Sequence, residues 1–182
     1  MTEPKPVKQD KPKLKQETPE QAKLQAQTSE SGERALRQFL PEHVPLCDDL
    51  SQAPLFDIDG EGNWHYLSSP LPAKFAKLFA SILYCIEGQH YLITPVEKLR
   101  VQLVASPLVM VDYEVIEGDK LKFISSIGIE YSVLIRDIDI KHDGIHLPLA
   151  RGLTARLGRA CYYRYINEFI VNASQDTGLM GS

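Results

Sequence analysis

The sequence has no apolar run near the roughly 18 residues that a membrane helix requires. None of its 182 residues is therefore expected to span a bilayer. Cysteine is scarce: Cys47, Cys85 and Cys161 form no CxxC and leave one unpaired in any disulfide scheme. Three thiols in a reducing cytoplasm are the simpler account, so a cytoplasmic protein is expected. The opening MTEPKPVKQDKPKLK carries lysines with no apolar stretch behind them, unlike a secretory signal. There is no basic excess either. A net charge of −4 argues against a general nucleic-acid binder. GxSxG, Walker and GxGxxG motifs are missing; Gly60-Glu61-Gly62 is too short and leads into a strand rather than a helix. These absences point to a non-enzymatic protein with no cofactor and no bound metal.

What is present suffices for one domain or two small ones, with 43% hydrophobic residues. The charge is uneven. Residues 5 to 15 hold five lysines against one aspartate, and residues 151 to 164 hold four arginines and no acid. Between them lie Asp112, Glu114, Glu117 and Asp119. Residues 1–33 contain no aromatic, the first being Phe39, so they are expected to stay a disordered, lysine-rich tail. Such a tail either solubilises the chain or touches acidic surfaces.

The folded part is expected to start with a short helix over Arg34 to Leu40, stopped by Pro41. A hairpin follows, pairing Ile58 with Trp64 and Phe56 with Tyr66, with Asp59 to Asn63 as its turn. Asp57 and His65 then share the opposite face. Asp57 to Gly62 imitates an EF-hand opening, but Ser68 stands where the bidentate glutamate belongs, so a plain turn is the better reading. Ser69-Pro70 reads as a helix start, with Leu71, Phe75, Leu78, Phe79, Ile82 and Leu83 as the apolar stripe and Lys74 and Lys77 off it.

From His90 the period becomes two, predicting strands at Tyr91–Ile93, Leu99–Val104, Leu108–Ile116, Leu121–Ser125 and Tyr131–Arg136. A three-residue loop, Glu117 to Asp119, sets Val115 opposite Leu121, Tyr113 opposite Phe123 and Glu114 opposite Lys122. Asp143-Gly144 marks another hairpin turn. A last helix is expected over Gly152 to Ile170, with Leu153, Leu157, Ala160, Cys161 and Ile166 inward, and 172–182 frayed. His142 and His146 are split by a glycine turn and do not make a zinc pair. Cys85 and Cys161 lie on apolar faces, where structural thiols are usual.

LPAKFAKL (71–78) and LTARLGRA (153–160) each follow an Asp-Gly hairpin, aligning Lys74 with Arg156 and Lys77 with Arg159. The spacing suggests a duplicated unit. The fold class expected is α+β, built of two related hairpin/sheet-plus-helix halves at 34–98 and 99–171.

The run of glycine turn and tryptophan, serine-proline, LFASIL (78–83) and TPVEK (94–98) resembles a bacterial family known as domain of unknown function 1285. The likeness covers roughly residues 42 to 170. Ser68 stands where that pattern has glycine, and Cys47 lacks its tryptophan and glycine neighbours. The resemblance implies a duplicated core whose C-terminal half is pleckstrin-homology-like, a bent antiparallel sheet closed by a C-terminal helix. It also implies a ligand between the halves, and it makes Thr94-Pro95-Val96-Glu97-Lys98 a signature, either contacting ligand through Glu97 and Lys98 or merely turning the chain.

Lys74 and Lys77, with Arg151, Arg156 and Arg159, are expected at two helix starts, where the dipole already disfavours cations and suits an anion. The competing reading has them salt-bridged to Asp112 and Glu114. The expected function is a sensor or adaptor in signal transduction, taking a small anionic ligand or nucleic acid between the halves. The alternative is a protein-interaction scaffold whose acidic strand face docks a protein partner.

Overall fold

In the computed structural model, residues 19–40 and 53–173 are described. Cys47, most of the lysine-rich tail and the far C-terminus lie outside them. Alternation of period two gives the described residues twelve strands in two six-stranded sheets.

The first sheet is made by β1 (Phe56–Ile58), β2 (Trp64–Tyr66), β3 (Ser69–Pro70), β4 (Leu83–Ile86), β5 (Gln89–Ile93) and β6 (Lys98–Leu103). Their spatial order is β3-β2-β1-β6-β5-β4. The hairpin register is the expected one, Phe56 opposite Tyr66 and Ile58 opposite Trp64. Phe56, Ile58 and Trp64 are buried, and Asp57 and His65 share the other face, Nδ1 of His65 standing 3.3 Å from Oδ2 of Asp57.

The second sheet uses β7 (Leu108–Glu117), β8 (Lys120–Ser125), β9 (Glu130–Leu134), β10 (Asp139–Lys141), β11 (Gly144–Pro148) and β12 (Thr154–Leu157). Its order, read from the far edge, is β9-β8-β7-β12-β11-β10. The two sheets have one topology. Each consists of two antiparallel three-stranded meanders joined by a parallel pair between its first and last strands: Phe56 beside Val101 in one, Leu108 beside Ala155 in the other. One sheet curls into a half-barrel. The fold is thus α+β with two related halves.

Among the described residues the α-helices are α1 (Pro19–Phe39), α2 (Ala73–Ser81) and α3 (Arg159–Tyr165), the last continued by wider π-helical turns to Val171. Helix α2 lays Phe79 against Phe56 and Trp64, with ring centroids 5.3 and 6.2 Å apart. Phe39 of α1 packs edge-on against Phe75 and Phe79, and its carbonyl accepts the Tyr66 hydroxyl at 2.8 Å. Helix α3 seats Cys161 and Tyr165 on the second sheet, Tyr165 edge-on to Tyr113. One cluster of buried side chains runs through both halves.

Several expectations are corrected. Helix α1 starts at Pro19, so the expected helix over Arg34–Leu40 is only its end, and residues 19–33 are not part of a disordered tail. PEQAKLQAQ is rich in good helix formers, and Ala35 and Leu36 dock the helix, with Gly32 allowing close approach to the Leu78 carbonyl. Ser69-Pro70 is a strand, not a cap. Leu67 and Ser68, at φ 47° and 64°, turn the chain so that Ser69 returns beside Tyr66, and proline is tolerated on this edge strand. Pro72 opens α2 instead, its carbonyl accepting the Phe75 N–H at 2.9 Å.

The β7–β8 register is as expected, but the turn is shorter. Glu117 pairs with Lys120, and a bulge between Val115 and Glu117 restores the alternation. Residues 152–158 are turn and strand, not helix, and Ala160 points outward. The boundary between halves falls after β6, near residues 104–107, rather than at 98, because β6 hydrogen-bonds β1 and β5. LPAKFAKL therefore does not correspond to LTARLGRA, since one opens a helix and the other forms β12.

Candidate functional site

The halves meet where two turns touch. Asp59 closes the first: its Oδ1 accepts the N–H groups of Glu61 and Asn63, each at 2.9 Å, and its Oδ2 accepts the Asn63 amide. Burial pushes the Asp59 carboxyl up, but the bonds from Asn63 and Glu61 outweigh it and hold the group below the usual range. Gly62, at φ 86°, lies against the second turn so closely that a Cβ there would stand 2.9 Å from Ser126 Oγ. That second turn, Ser125 to Ile129, is tied by Gly128 N–H to the Ser125 carbonyl at 2.8 Å and by Ile129 N–H to Ser125 Oγ at 2.9 Å.

The seven candidate residues separate into distinct roles. Arg151 lies in a tight turn at φ 61°, not at a helix start. Its guanidinium donates to the carbonyls of Ala80 (3.0 Å) and Ser81, the C-terminal end of α2, where the dipole favours a cation. It also stacks over Tyr84. Arg156 is in β12 and donates to the Gly60 carbonyl, while its buried Nε has no acceptor. Both arginines thus reach from the second half to backbone of the first. They do not salt-bridge Asp112 or Glu114, which are held by Arg164 (2.6 Å) and Lys122.

Arg159 begins α3 and is exposed, without a partner among the described residues. Lys74 is exposed with its ammonium 4.8 Å from the Phe75 ring centroid. Lys77, also on α2, directs its ammonium at the second turn: Nζ would be 3.7 Å from a Cβ on Gly128. Among the described residues it has no hydrogen-bond or ion-pair partner. Glu97 lies in the β5–β6 turn and Lys98 opens β6. Thr94 closes that turn, its hydroxyl accepting the Glu97 N–H at 3.0 Å and its N–H donating to the Glu97 carbonyl. One Glu97 carboxylate oxygen is buried without a partner, and Lys98 lies over the Tyr91 ring at 4.3 Å.

The candidate residues assembled at the junction are therefore Lys77, Arg151 and Arg156. Sequence reasoning missed Gly62, Ser126 and Gly128, which shape it. The run Ser125-Ser126-Ile127-Gly128 between two strands was a readable turn signal, but nothing local says which other turn it meets.

A second polar cluster ties α3 to β7. Tyr113 donates its hydroxyl to Glu168 at 2.7 Å, and Arg164 bonds Glu168 (2.9 Å), Asp112 (2.6 Å) and the Tyr113 carbonyl (3.0 Å). The bonds from Tyr113 and Arg164 hold Glu168 below the ordinary carboxyl range. Burial pushes the nearby Cys161 thiol up to about 11, so it is protonated at neutral pH. Among the described residues no group of three or more His, Cys, Asp and Glu side chains is placed to hold a metal. No helix among them is long and apolar enough to cross a membrane.

Two six-stranded sheets of one topology, joined at this cationic junction, define an α+β protein with a duplicated core. Residues 48–104 match the family described as Domain of unknown function (DUF1285), N-terminal domain, a stretch that ends just past β6. A DUF1285 family protein from Shewanella baltica OS155, known from a crystal structure, is 51% identical; the match covers 66% of this chain and 97% of that one, with a TM-score of 0.62. A DUF1285 family protein from Silicibacter pomeroyi DSS-3 shares the fold at 23% identity, over 73% of this chain and 82% of that one, with a TM-score of 0.56. No curated protein matches the chain. The chain belongs to the DUF1285 family.

Proposed function

We propose that this protein is a non-enzymatic binding domain that takes a small anion, such as a phosphate-bearing ligand, at the junction between its halves. One observation carries the reading. The exposed Lys77 ammonium stands beside the Gly128 turn without a hydrogen-bond or ion-pair partner among the described residues. An ammonium left unpaired where the two halves meet is a group that an anion would engage by a charge-assisted hydrogen bond. Because Arg151 and Arg156 already tie one half to the other, an anion added there would tighten the joint, which is the behaviour of a sensor or adaptor.

The test is thermal melting at low salt against inorganic phosphate, nucleotides, cyclic dinucleotides, sugar phosphates and short single-stranded oligonucleotides. A probe at about 100 times its dissociation constant should stabilise the fold by roughly 2.7 kcal/mol. Lys77→Glu should abolish that shift, and Lys74→Glu, on the same helix, should keep most of it. A flat panel, or a shift unchanged in Lys77→Glu, overturns the reading.

A further inference from the structure

We propose that β10 is a self-association edge, pairing antiparallel with β10 of a second copy about a two-fold axis through Ile140. The duplicated topology supplies the first argument. Strands β4 and β10 occupy the same outermost place in their sheets. The outer side of β4 is covered from within the chain: the Ala150–Gly152 turn lies on it, with Gly152 so close to the Cys85 carbonyl that a Cβ would stand 2.6 Å away. Strand β10, by contrast, ends its sheet, hydrogen-bonded among the described residues to β11 alone.

The side chains supply the second argument. Ile140 is opposite Ile145 in the hairpin and so shares its face, yet Ile145 is 1% exposed and Ile140 52%. A core-facing isoleucine is thus left open at the edge of this hairpin that lacks a neighbouring strand among the described residues. Asp139 and Lys141 flank it on the other face, paired with each other at 3.0 Å. Antiparallel pairing centred on Ile140 sets Asp139 against Lys141 of the second copy, and Lys141 against its Asp139, while the isoleucines meet across the axis. The sequence Asp-Ile-Lys is self-complementary in this register alone; a shift by one residue would set like beside unlike without matching charge.

A three-residue ladder is small beside the roughly 800 Å² per partner of a stable interface. An open concavity of about 300 Å³ adjoins the strand, lined by Arg136, Ile138, Pro148 and Thr154 among others. Arg136 has no hydrogen bond or ion pair among the described residues, and so offers a cation to acidic side chains of the second copy. The association expected is accordingly weak and reversible.

Sedimentation velocity of the full chain over a wide concentration range tests this. A concentration-dependent dimer is expected, weakened at least about tenfold by Ile140→Lys. Asp139→Lys alone should weaken it similarly, and the double exchange Asp139→Lys with Lys141→Asp should restore it, which a merely misfolded variant could not do. A monomer at every concentration overturns the proposal. So does a dimer indifferent to Ile140→Lys, or a double exchange no better than the single one.

Discussion

Ser68 carries a backbone conformation that its side chain resists. With φ at 64°, following Leu67 at 47°, it turns β2 back into β3. A non-glycine residue held there costs on the order of 1 kcal/mol. Ser68→Gly should therefore raise stability by about 0.5–1 kcal/mol, read as a higher urea midpoint with an unchanged slope. A lower midpoint would show that the serine makes a compensating contact. The family pattern marked this position, since it has glycine there, although the Ser69-Pro70 that follows reads as a helix start. Single residues were legible where alternation was strict: Phe56, Ile58 and Trp64 are buried as their pattern required. Arg151 and Arg156 were not legible in the same way. Four arginines without an acid announce a cationic segment, but not that two of them reach carbonyls some 70 to 96 residues away.

Among elements, the β7–α3 contact is one that titrates in the acid range. Arg164 and Glu168 extend from the end of the helix to Asp112 and Tyr113 on the strand. Because the folded state holds Glu168 below its usual 4.5, this stabilisation is present above that value and lost as pH falls through the folded value. The melting temperature of the wild type should thus fall more between pH 7 and pH 3 than that of Glu168→Gln, the two curves converging at the acid end. Parallel curves would mean the bonds contribute nothing. Helix and strand were hardest to separate here. Leu153 and Leu157 are four apart, as on a helix face, yet Leu153, Ala155 and Leu157 also alternate. Both periods fit so short a run, and the left-handed Arg151–Gly152 pair, at φ 61° and 70°, sets the strand by breaking any helix before it.

At the scale of the molecule, Arg151 is the tie whose loss should be felt most. Removing it leaves the Ala80 and Ser81 carbonyls without their donor and takes a cation from the C-terminal end of α2. Arg151→Met should cost roughly 2–3 kcal/mol by urea unfolding. Arg151→Lys should recover less than half of that, because an ammonium cannot span two carbonyls as a guanidinium fork does. Equal stability of Arg151→Met and wild type would show the halves to be held by apolar packing alone. The duplication was legible as an idea and misplaced in detail. Two Asp-Gly hairpins pointed to it, but helical octamers look alike by composition, and what repeats is the order of strand pairing, which no local window displays.

That pairing order bears on how the chain is made. Each sheet is closed by its last strand lying parallel to its first, Ile58 beside Leu103 and then Met110 beside Leu157. Such closure joins residues far apart in the chain and so forms late within each half. During synthesis, the first sheet has all its strands once Leu103 has been added, before β7 is translated. The second must wait for Leu157, which precedes α3 by a single residue. The first sheet is thus complete in the chain well before Arg151 and Arg156, the cations that tie the second half to it, have been added.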